Sequence, residues 1–329
     1  PTTLHTRMAR QHKRRHCVYS LLADAIGALT LPMNASASSP TGNCPQFRGP
    51  NGNGVSSQPH PSQWDTETNL GWSASIAGGG WSSPVAVGDR VFVTTAISSE
   101  ISGPKGFGEG VSSMRSFYSS KPPQKPMSFE VHCLSLANGE LLWKQQVASR
   151  KPAHKIHPSN SYATESPATD GKHVFAYFAA VGCVTCCDLD GNSKWDRDLG
   201  AYPTANDFGT GSSLATLDGR HFIQCDNEQQ SFLCALDTTS GDELWRVERA
   251  GRTSWSSPVI WKNQHRAELV VCGTGGVSSY DPPSGKVLWE FTGTGGAFSA
   301  SPTFDADRIY FGQSGRNSRG PLIAINAGA

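Results

Sequence analysis

The sequence predicts an all-β protein, a β-propeller of four-stranded antiparallel blades with four complete repeats and one split or truncated repeat. Two observations predict this fold. At four places a glycine is followed four residues later by a tryptophan, and these tryptophans are spaced 52, 50 and 44 residues apart. Between them, a Ser-Pro step repeatedly leads into two short runs of β-branched residues. Repeats of about 40–50 residues with four short strands and one anchoring tryptophan are typical of propeller blades.

The first 37 residues have the composition of an export signal. Five basic residues precede a largely apolar run from Val18 to Leu31, and the step Ala35-Ser36-Ala37 resembles an Ala-x-Ala cleavage site. We therefore predict a signal peptide over 1–37 and a periplasmic or secreted protein, with a disordered tail as the alternative. No other stretch has the roughly 20 apolar residues of a membrane span. Lys and Arg total 28 against 27 Asp and Glu, so no basic field for nucleic acid is present.

Each predicted blade begins with a hairpin, as in residues 81–95, where Gly88-Asp89 separates two apolar runs. A third strand follows, then a turn and a fourth strand that contains the tryptophan. In the turn, glycine supplies a positive φ, and Asp237 or Asp281 can accept hydrogen bonds from amides. The residues of this structural blade motif are Gly139, Trp143, Gly191, Trp195, Asp237, Gly241, Trp245, Asp281, Gly285 and Trp289.

The propeller domain is predicted over residues 44–329, with blades at about 81–147, 163–199, 209–249, 254–292 and 298–326. Residues 69–76 resemble a fourth strand without its first three, and the last unit stops after Asn326 without its own fourth strand. Two interpretations follow. The strand at 69–76 completes the last blade of a five-bladed ring, or the chain is a fragment of a larger propeller. We favour the fragment, because blades need complete neighbours.

The first unit carries about 31 extra residues between its second and third strands, at 98–128. This stretch is rich in Gly, Pro, Ser and Lys, and it interleaves aromatic with basic residues. Such a mixture is typical of protein interfaces, although a disordered loop is an equal alternative. The candidate interface residues are Lys105, Phe107, Arg115, Phe117 and Tyr118.

The motif Ala235-x-Asp237-x-x-Ser240-Gly241-x-x-x-Trp245 resembles the tryptophan-docking motif of pyrroloquinoline-quinone-type propellers, and the resemblance covers residues 44–329. The segments Gln46–Gly54 and Gly80–Pro84 resemble the opening of quinone-repeat-like proteins of planctomycete-type bacteria. Members of that group usually contain further repeats, which again favours a truncated chain. The superfamily includes quinoprotein dehydrogenases and cofactor-free propellers such as the assembly lipoprotein of the outer-membrane barrel machinery.

The neighbouring cysteines Cys186 and Cys187 raise the dehydrogenase hypothesis, because the resemblance implies a vicinal disulfide beside the quinone. Their position relative to Gly191 places both on an ordinary third strand, so we interpret them as buried hydrophobic residues. A metal site built on Cys183 and Cys186 is disfavoured, because residues three apart on a strand point to opposite faces. His154 and His157 would have to complete such a site.

A quinone site would also need a cation held by carboxylate and amide oxygens. Asp207, Asp226, Glu228 and Asp305 are candidates by residue type alone, since no spacing gathers them. We therefore predict no catalytic, cofactor or metal residues. The nine cysteines are too scattered for a disulfide framework. The predicted function is an exported, non-catalytic scaffold with a protein partner, and the alternative is a dehydrogenase of alcohols or sugars that uses pyrroloquinoline quinone with calcium.

Overall fold

The computed structural model describes residues 43–56, 61–101, 103, 121–294, 296, 298–315 and 318–328. It confirms the all-β prediction: four antiparallel four-stranded sheets are followed by a three-stranded sheet. The predicted signal segment and the five candidate interface residues of the 98–128 loop lie outside the described residues. Within the described ranges the helices are two 3-10 turns, Ala179–Val181 and Ala205–Asp207, and none could cross a membrane.

The strands follow one another as meanders, each paired antiparallel with the next in its own sheet. Blade 1 contains β1 (Val85–Val87), β2 (Arg90–Ile97), β3 (Met127–Ser135) and β4 (Leu141–Arg150). Blade 2 contains β5 (Ala168–Thr169), β6 (His173–Phe178), β7 (Cys183–Asp188) and β8 (Ser193–Asp198). Blade 3 contains β9 (Ala215–Leu217), β10 (Arg220–Cys225), β11 (Phe232–Asp237) and β12 (Glu243–Glu248). Blade 4 contains β13 (Val259–Lys262), β14 (Ala267–Gly273), β15 (Gly276–Tyr280) and β16 (Val287–Thr292), and blade 5 contains β17 (Thr303–Phe304), β18 (Arg308–Gly315) and β19 (Ser318–Asn326).

The core lies between consecutive blades rather than within one of them. Successive side chains of a strand point to opposite faces, so each middle strand supplies two interfaces. In β6, Val174 and Phe178 face blade 1, whereas Phe175 and Tyr177 face blade 3. Four hydrophobic clusters of this kind join blades 1 and 2, 2 and 3, 3 and 4, and 4 and 5. The middle strands are therefore buried on both faces, while outer strands such as β4 are largely exposed.

In blades 1, 2 and 3, the tryptophan of the outer, fourth strand packs on the turn of the following blade. The Trp195 ring lies against Gly241, and its indole nitrogen donates a 3.1 Å hydrogen bond to the Thr238 carbonyl of the same turn. The same contact joins Trp143 with Gly191 and Trp245 with Gly285. The turn that receives Trp195 is stabilised by the Asp237 carboxylate, which accepts hydrogen bonds from two turn amides. Its counterpart Asp281 accepts instead from the Ser284 hydroxyl.

Just before the inner, first strand of each blade, a serine takes part in hydrogen bonds that link neighbouring blades. The backbone N–H of Ser83 donates to Ser166 Oγ, and the N–H of Ser166 donates to Ser213 Oγ. In the same way, the N–H of Ser213 donates to Ser257 Oγ, and the N–H of Ser257 donates to Ser301 Oγ. All four distances are 2.9 Å. The recurrent Ser-Pro step of the sequence is thus the position of an inter-blade hydrogen bond. Blade 3 keeps this bond although Leu214 replaces the proline, because the serine provides the contact.

The segment 43–54 crosses the first strands of four blades. Cys44 exchanges two backbone hydrogen bonds with Ala86 in β1, and the Pro45 carbonyl accepts from Thr169 in β5. Gln46 accepts from the Thr216 amide in β9, and Arg48 Nη1 donates to the carbonyls of Ser301 and Pro302, at 3.1 and 2.5 Å. The segment therefore connects blades 1, 2, 3 and 5 independently of the contacts between neighbouring blades.

The prediction of an isolated fourth strand at 69–76 is wrong, because the structure assigns no strand to these residues. They also do not join the three-stranded fifth sheet. Trp72 nevertheless packs on Gly139 of blade 1 and donates a 2.8 Å hydrogen bond to the Leu136 carbonyl. The segment thus has the docking contact of a fourth strand without a strand partner. At the other end of the array, Trp289 donates to Glu268 of its own blade instead of a following turn.

We predict that Gly241→Ala destabilises the protein more than Gly219→Ala does. Both glycines have a φ of +74°, so each alanine meets the same backbone strain, about 1–2 kcal/mol. A Cβ on Gly241 would lie 2.6 Å from the Trp195 ring, whereas the nearest atom to a Cβ on Gly219 is 3.9 Å away. Urea unfolding should show an additional loss of about 1–3 kcal/mol for Gly241→Ala alone. Equal losses would contradict the docking contact.

We also predict that Arg48→Ala lowers the free energy of unfolding by about 1–3 kcal/mol, because two blade 5 carbonyls lose a charged donor. Asn51→Ala is the matched control: this side chain is exposed in the same segment and should change stability by less than about 0.5 kcal/mol. Thermal or urea unfolding of both variants tests whether the segment stabilises blade 5. Similar stabilities for the two variants would show that it does not.

Candidate functional site

The connections between blades and the β2–β3-type loops lie at the same end of the blades, because each sheet is an antiparallel meander. We call this end the loop face. The tryptophan-docking turns lie at the opposite end. Loops carried by a rigid scaffold are the usual position of binding residues, and cavities open on the loop face at blade 1, between blades 2 and 3, and at blade 5.

The largest of these cavities is a groove of about 580 Å³ between the end of blade 1 and the connection from blade 1 to blade 2. We call it the blade 1 groove. Its apolar lining includes Ile97, Ile101, Met127, Ile156 and Tyr162. The volume is within the range of ordinary ligand pockets, about 300–1,000 Å³. The groove can therefore accept an apolar side chain or a short peptide segment.

Charged groups stand at the rim of the blade 1 groove. Lys121 and Lys155 line it together with Glu100. Lys155 Nζ lies 3.6 Å from the Asp207 carboxylate, and the Glu100 carboxylate accepts hydrogen bonds from the backbone amides of Gln124 and Lys125. These backbone hydrogen bonds hold the pKa of Glu100 below its ordinary value. The groove thus combines an apolar floor with a charged rim, the arrangement found at protein interfaces.

His157 fixes the wall of the groove. Its Nδ1 lies 2.7 Å from the Ser159 hydroxyl, and its ring packs at 5.3 Å from that of Phe208. Burial lowers the pKa of His157, which favours the neutral ring at physiological pH. Asn160 donates to the carbonyls of Phe208 and Thr210, so the connection that forms the wall is attached to the next one.

The smallest of these cavities lies between blades 2 and 3 and has a water-accessible volume of about 20 Å³. We call it the polar cavity. Its lining includes Tyr177, whose hydroxyl interacts with the Cys225 thiol, and two residues with a polar atom that has no hydrogen-bond partner among the described residues, Ser212 (Oγ) and Gln224 (Oε1). All three side chains belong to residues more than nine-tenths buried. An unpaired buried polar atom costs about 1–3 kcal/mol, and a cavity of this size has room for one water that could bind both atoms.

The orientation of Gln224 is set by its neighbours. Its Nε2 donates to Asp226 Oδ2 and to the Cys272 carbonyl, both at 2.7 Å, which fixes the orientation of the side-chain amide. Asp226 is itself fixed by a buried ion pair with Arg249 at 2.8 Å, and Arg249 also donates to the Tyr280 hydroxyl. The Gln224 side chain is therefore held in place by the buried ion pair of Asp226 and Arg249.

Glu165 lies close to the polar cavity and is 1 % exposed. It interacts with Tyr177, Cys225 and Thr210, although neither carboxylate oxygen accepts a hydrogen bond of good geometry. Burial raises the pKa of this carboxyl from 4.5 to about 7. The other buried carboxylates in the described ranges have basic partners: Glu130 pairs with His132, Asp226 with Arg249 and Glu268 with Arg266.

The cysteines that raised the dehydrogenase hypothesis lie on β7, and the structure contains no disulfide between them. Cys187 packs in the cluster between blades 1 and 2, and Cys186 in the cluster between blades 2 and 3. Burial raises the pKa of Cys183 and Cys187 to about 11 and that of Cys186 to about 12. Their thiols therefore pack as neutral side chains on opposite faces of one strand.

The acidic candidates lie in separate environments. Glu228 binds Arg252 and Thr253, and Asp305 accepts from two amides of its own turn. Asp207 faces Lys155, and Asp226 belongs to the buried network around Gln224. In the part of the chain that the structure describes, no group of three or more His, Cys, Asp or Glu residues is placed to bind a metal. His154 contributes its carbonyl to a hydrogen bond from Tyr162.

None of the residues predicted as interface or blade-motif residues lines the polar cavity. One signal was present: Glu165 occupies the position that precedes the linking serine of its blade, where the other blades have Ser82, Ser212, Ser256 and Ala300. A carboxyl at a position of small side chains marks a departure from the repeat. Tyr177 and Gln224 gave no such signal, because their strands show only the usual buried pattern.

The blades, the docked tryptophans and the loop face define a propeller scaffold of the quinone-repeat type. The chain belongs to the family whose model is described as outer membrane protein assembly factor BamB, which it matches over residues 128–260 and 229–328. Among curated proteins no match was found.

Solved propellers resemble the chain at low identity. BamB from Moraxella catarrhalis is 15 % identical, with 61 % of this chain and 55 % of that chain covered and a TM-score of 0.40. The quinohemoprotein alcohol dehydrogenase from Comamonas testosteroni is 12 % identical, with 89 % and 47 % covered and a TM-score of 0.51. The chain thus spans about half the length of these structures, and the second likeness supports the fold alone.

We predict that Glu165→Gln stabilises the protein progressively more as pH rises from 4.5 to about 7. A carboxyl whose pKa is raised in the folded state holds its proton more tightly there than in the unfolded chain, so wild-type stability falls over this interval. A shift from 4.5 to about 7 corresponds to roughly 3 kcal/mol at most. Urea unfolding of both proteins between pH 4.5 and about pH 8 measures this difference. A difference that does not change with pH would contradict the assignment.

Proposed function

We propose that this protein is an exported, non-catalytic propeller scaffold that binds a protein partner at the blade 1 groove and takes part in envelope assembly. Membership of the BamB family carries this proposal, because the family is described as an outer membrane protein assembly factor. The basic and apolar N-terminal sequence supports export to the periplasm or beyond.

The geometry of the blade 1 groove supports a protein partner. Its aliphatic floor would remove apolar side chains from water, at about 25 cal/mol for each Å² buried. Lys121, Lys155 and Glu100 stand around it and can set the orientation of a polar backbone or a charged side chain. An extended peptide of a partner protein, with one or two apolar anchors, has the size and polarity that this groove requires.

We predict that Ile101→Asp weakens partner binding at least tenfold, whereas Val287→Asp leaves it unchanged. Both positions are partly exposed aliphatic residues, at 42 % and 51 %, but only Ile101 lines the groove. A charge in the groove would cost more than about 1.4 kcal/mol of binding free energy, which is a factor of ten. A photo-crosslinking amino acid at each position, in cells of the natural host, should give an adduct with an envelope-assembly protein at position 101 alone.

Equal amounts of adduct at positions 101 and 287 would contradict partner binding at the blade 1 groove. Fractionation of the same cells tests export independently of binding. We expect the protein to be found outside the cytoplasm. Loss of the gene should lower the amount of folded outer-membrane barrels. Alcohol-dependent dye reduction after addition of pyrroloquinoline quinone and calcium would instead support the dehydrogenase alternative and overturn the scaffold.

A further inference from the structure

Lysines surround the rim of the blade 1 groove. Lys121 and Lys155 line the groove, and the charges of Lys125 and Lys151 act on the carboxylate of Glu100, which lines it too. The side chains of Lys121, Lys125 and Lys151 are exposed to solvent. They come from both sides of the groove, because two of them precede β3 and the other two follow β4.

Carboxylates neutralise only part of this positive charge. Asp207 pairs with Lys155 at 3.6 Å. Glu100 is the counter-charge for the other three lysines, and its Oε2 already accepts hydrogen bonds from the backbone amides of Gln124 and Lys125. Among the described side chains of the rim, four lysines and two carboxylates leave a net charge of +2. An occupant with negative charge is therefore complementary to the rim.

The floor of the groove requires an apolar group. Ile97, Met127 and Ile156 line it, and the flexible thioether of Met127 can adapt to apolar side chains of different shape. The chain as a whole has 28 basic and 27 acidic residues, so the positive charge is a property of this rim and not of the entire surface. The matching occupant has an apolar side chain for the floor and carboxylates for the rim.

We infer that the blade 1 groove selects an extended acidic peptide, in which an aromatic or branched aliphatic residue is flanked by Asp or Glu. Successive side chains of an extended chain point to opposite sides. When the apolar side chain enters the floor, the flanking carboxylates therefore point back to the lysines of the rim. This specificity rests on the partner binding proposed above and adds the chemistry of the peptide.

The test is a selection of peptides on the whole protein from a phage-displayed library of short random sequences. We expect enrichment of sequences with an apolar residue next to an acidic one. Binding of the best peptide should weaken as salt is added, because the rim charges are exposed and screened. A selection that enriches peptides without acidic residues, or no peptide, would overturn the inference.

Charge reversal of the rim tests the contact directly. Lys121→Glu combined with Lys125→Glu should weaken binding of the selected peptide about tenfold, or roughly threefold for each exposed charge. Lys172→Glu combined with Lys286→Glu is the matched control, because it changes the net charge equally at exposed lysines outside the groove lining. A peptide with Lys in place of its acidic residues should prefer the first double variant to the wild type. Equal losses in both double variants would show that only overall charge matters and would overturn the inference.

Ile101→Asp separates the acidic preference from the proposed function. If this variant loses the selected peptide while charge reversal of the rim has no effect, the groove binds peptides but does not select acidic ones. The proposed function then stands and the acidic preference is wrong. If Ile101→Asp leaves binding of the peptide unchanged, the groove is not the binding site, and both proposals fail.

Two other occupants of the groove give different results. Residues 104–120 join Gly103 to Lys121, which both line the groove. If peptides are selected only after a short Gly/Ser linker replaces residues 104–120, this segment of the chain is the occupant. A dimer in sedimentation analysis that Ile101→Asp dissociates would identify a second copy of the chain. Either result would overturn the inference.

Discussion

The structure depends on one constraint: every blade is a sheet with two apolar faces, and neither face can be covered from within the blade. Alternation along β6 sends Val174 and Phe178 to one neighbour and Phe175 and Tyr177 to the other, so each middle strand stabilises two interfaces. Burial of apolar area has no direction, and by itself it would let the blades slide against each other. The hydrogen bonds at both ends of the blades therefore fix their relative position.

Those hydrogen bonds come in two repeated sets. Outer tryptophans donate to turn carbonyls of the next blade, and inner serine hydroxyls accept from backbone amides of the preceding one. The first set needs a glycine, because the indole ring occupies the space of a Cβ. The second needs only a small hydroxyl. Segment 43–54 adds a third link that connects blades distant in sequence.

The two candidate sites lie where the repeat is broken. The tryptophan and serine contacts recur from blade to blade and serve the fold, whereas the blade 1 groove and the polar cavity occur where one blade differs from the others. The groove lies beside the long insertion of blade 1, and the cavity lies where Glu165 replaces a small residue. The propeller fold serves both scaffolds and dehydrogenases, so the proposed partner site rests on such a departure and not on the fold alone.

The sequence alone determined the blade architecture, because the Gly and Trp pairs, the Ser-Pro steps and the period-2 apolar runs are local patterns repeated at a near-constant spacing. It also indicated that Cys186 and Cys187 lie on a third strand, from their distance to Gly191. It did not determine the pairing of residues 69–76, which carry the docking tryptophan but join no sheet. Only the tertiary structure brought Tyr177, Ser212, Gln224 and Glu165 together, since they come from two blades and the connections between them. Such contacts depend on how neighbouring sheets pack, and no local periodicity in the chain records that packing.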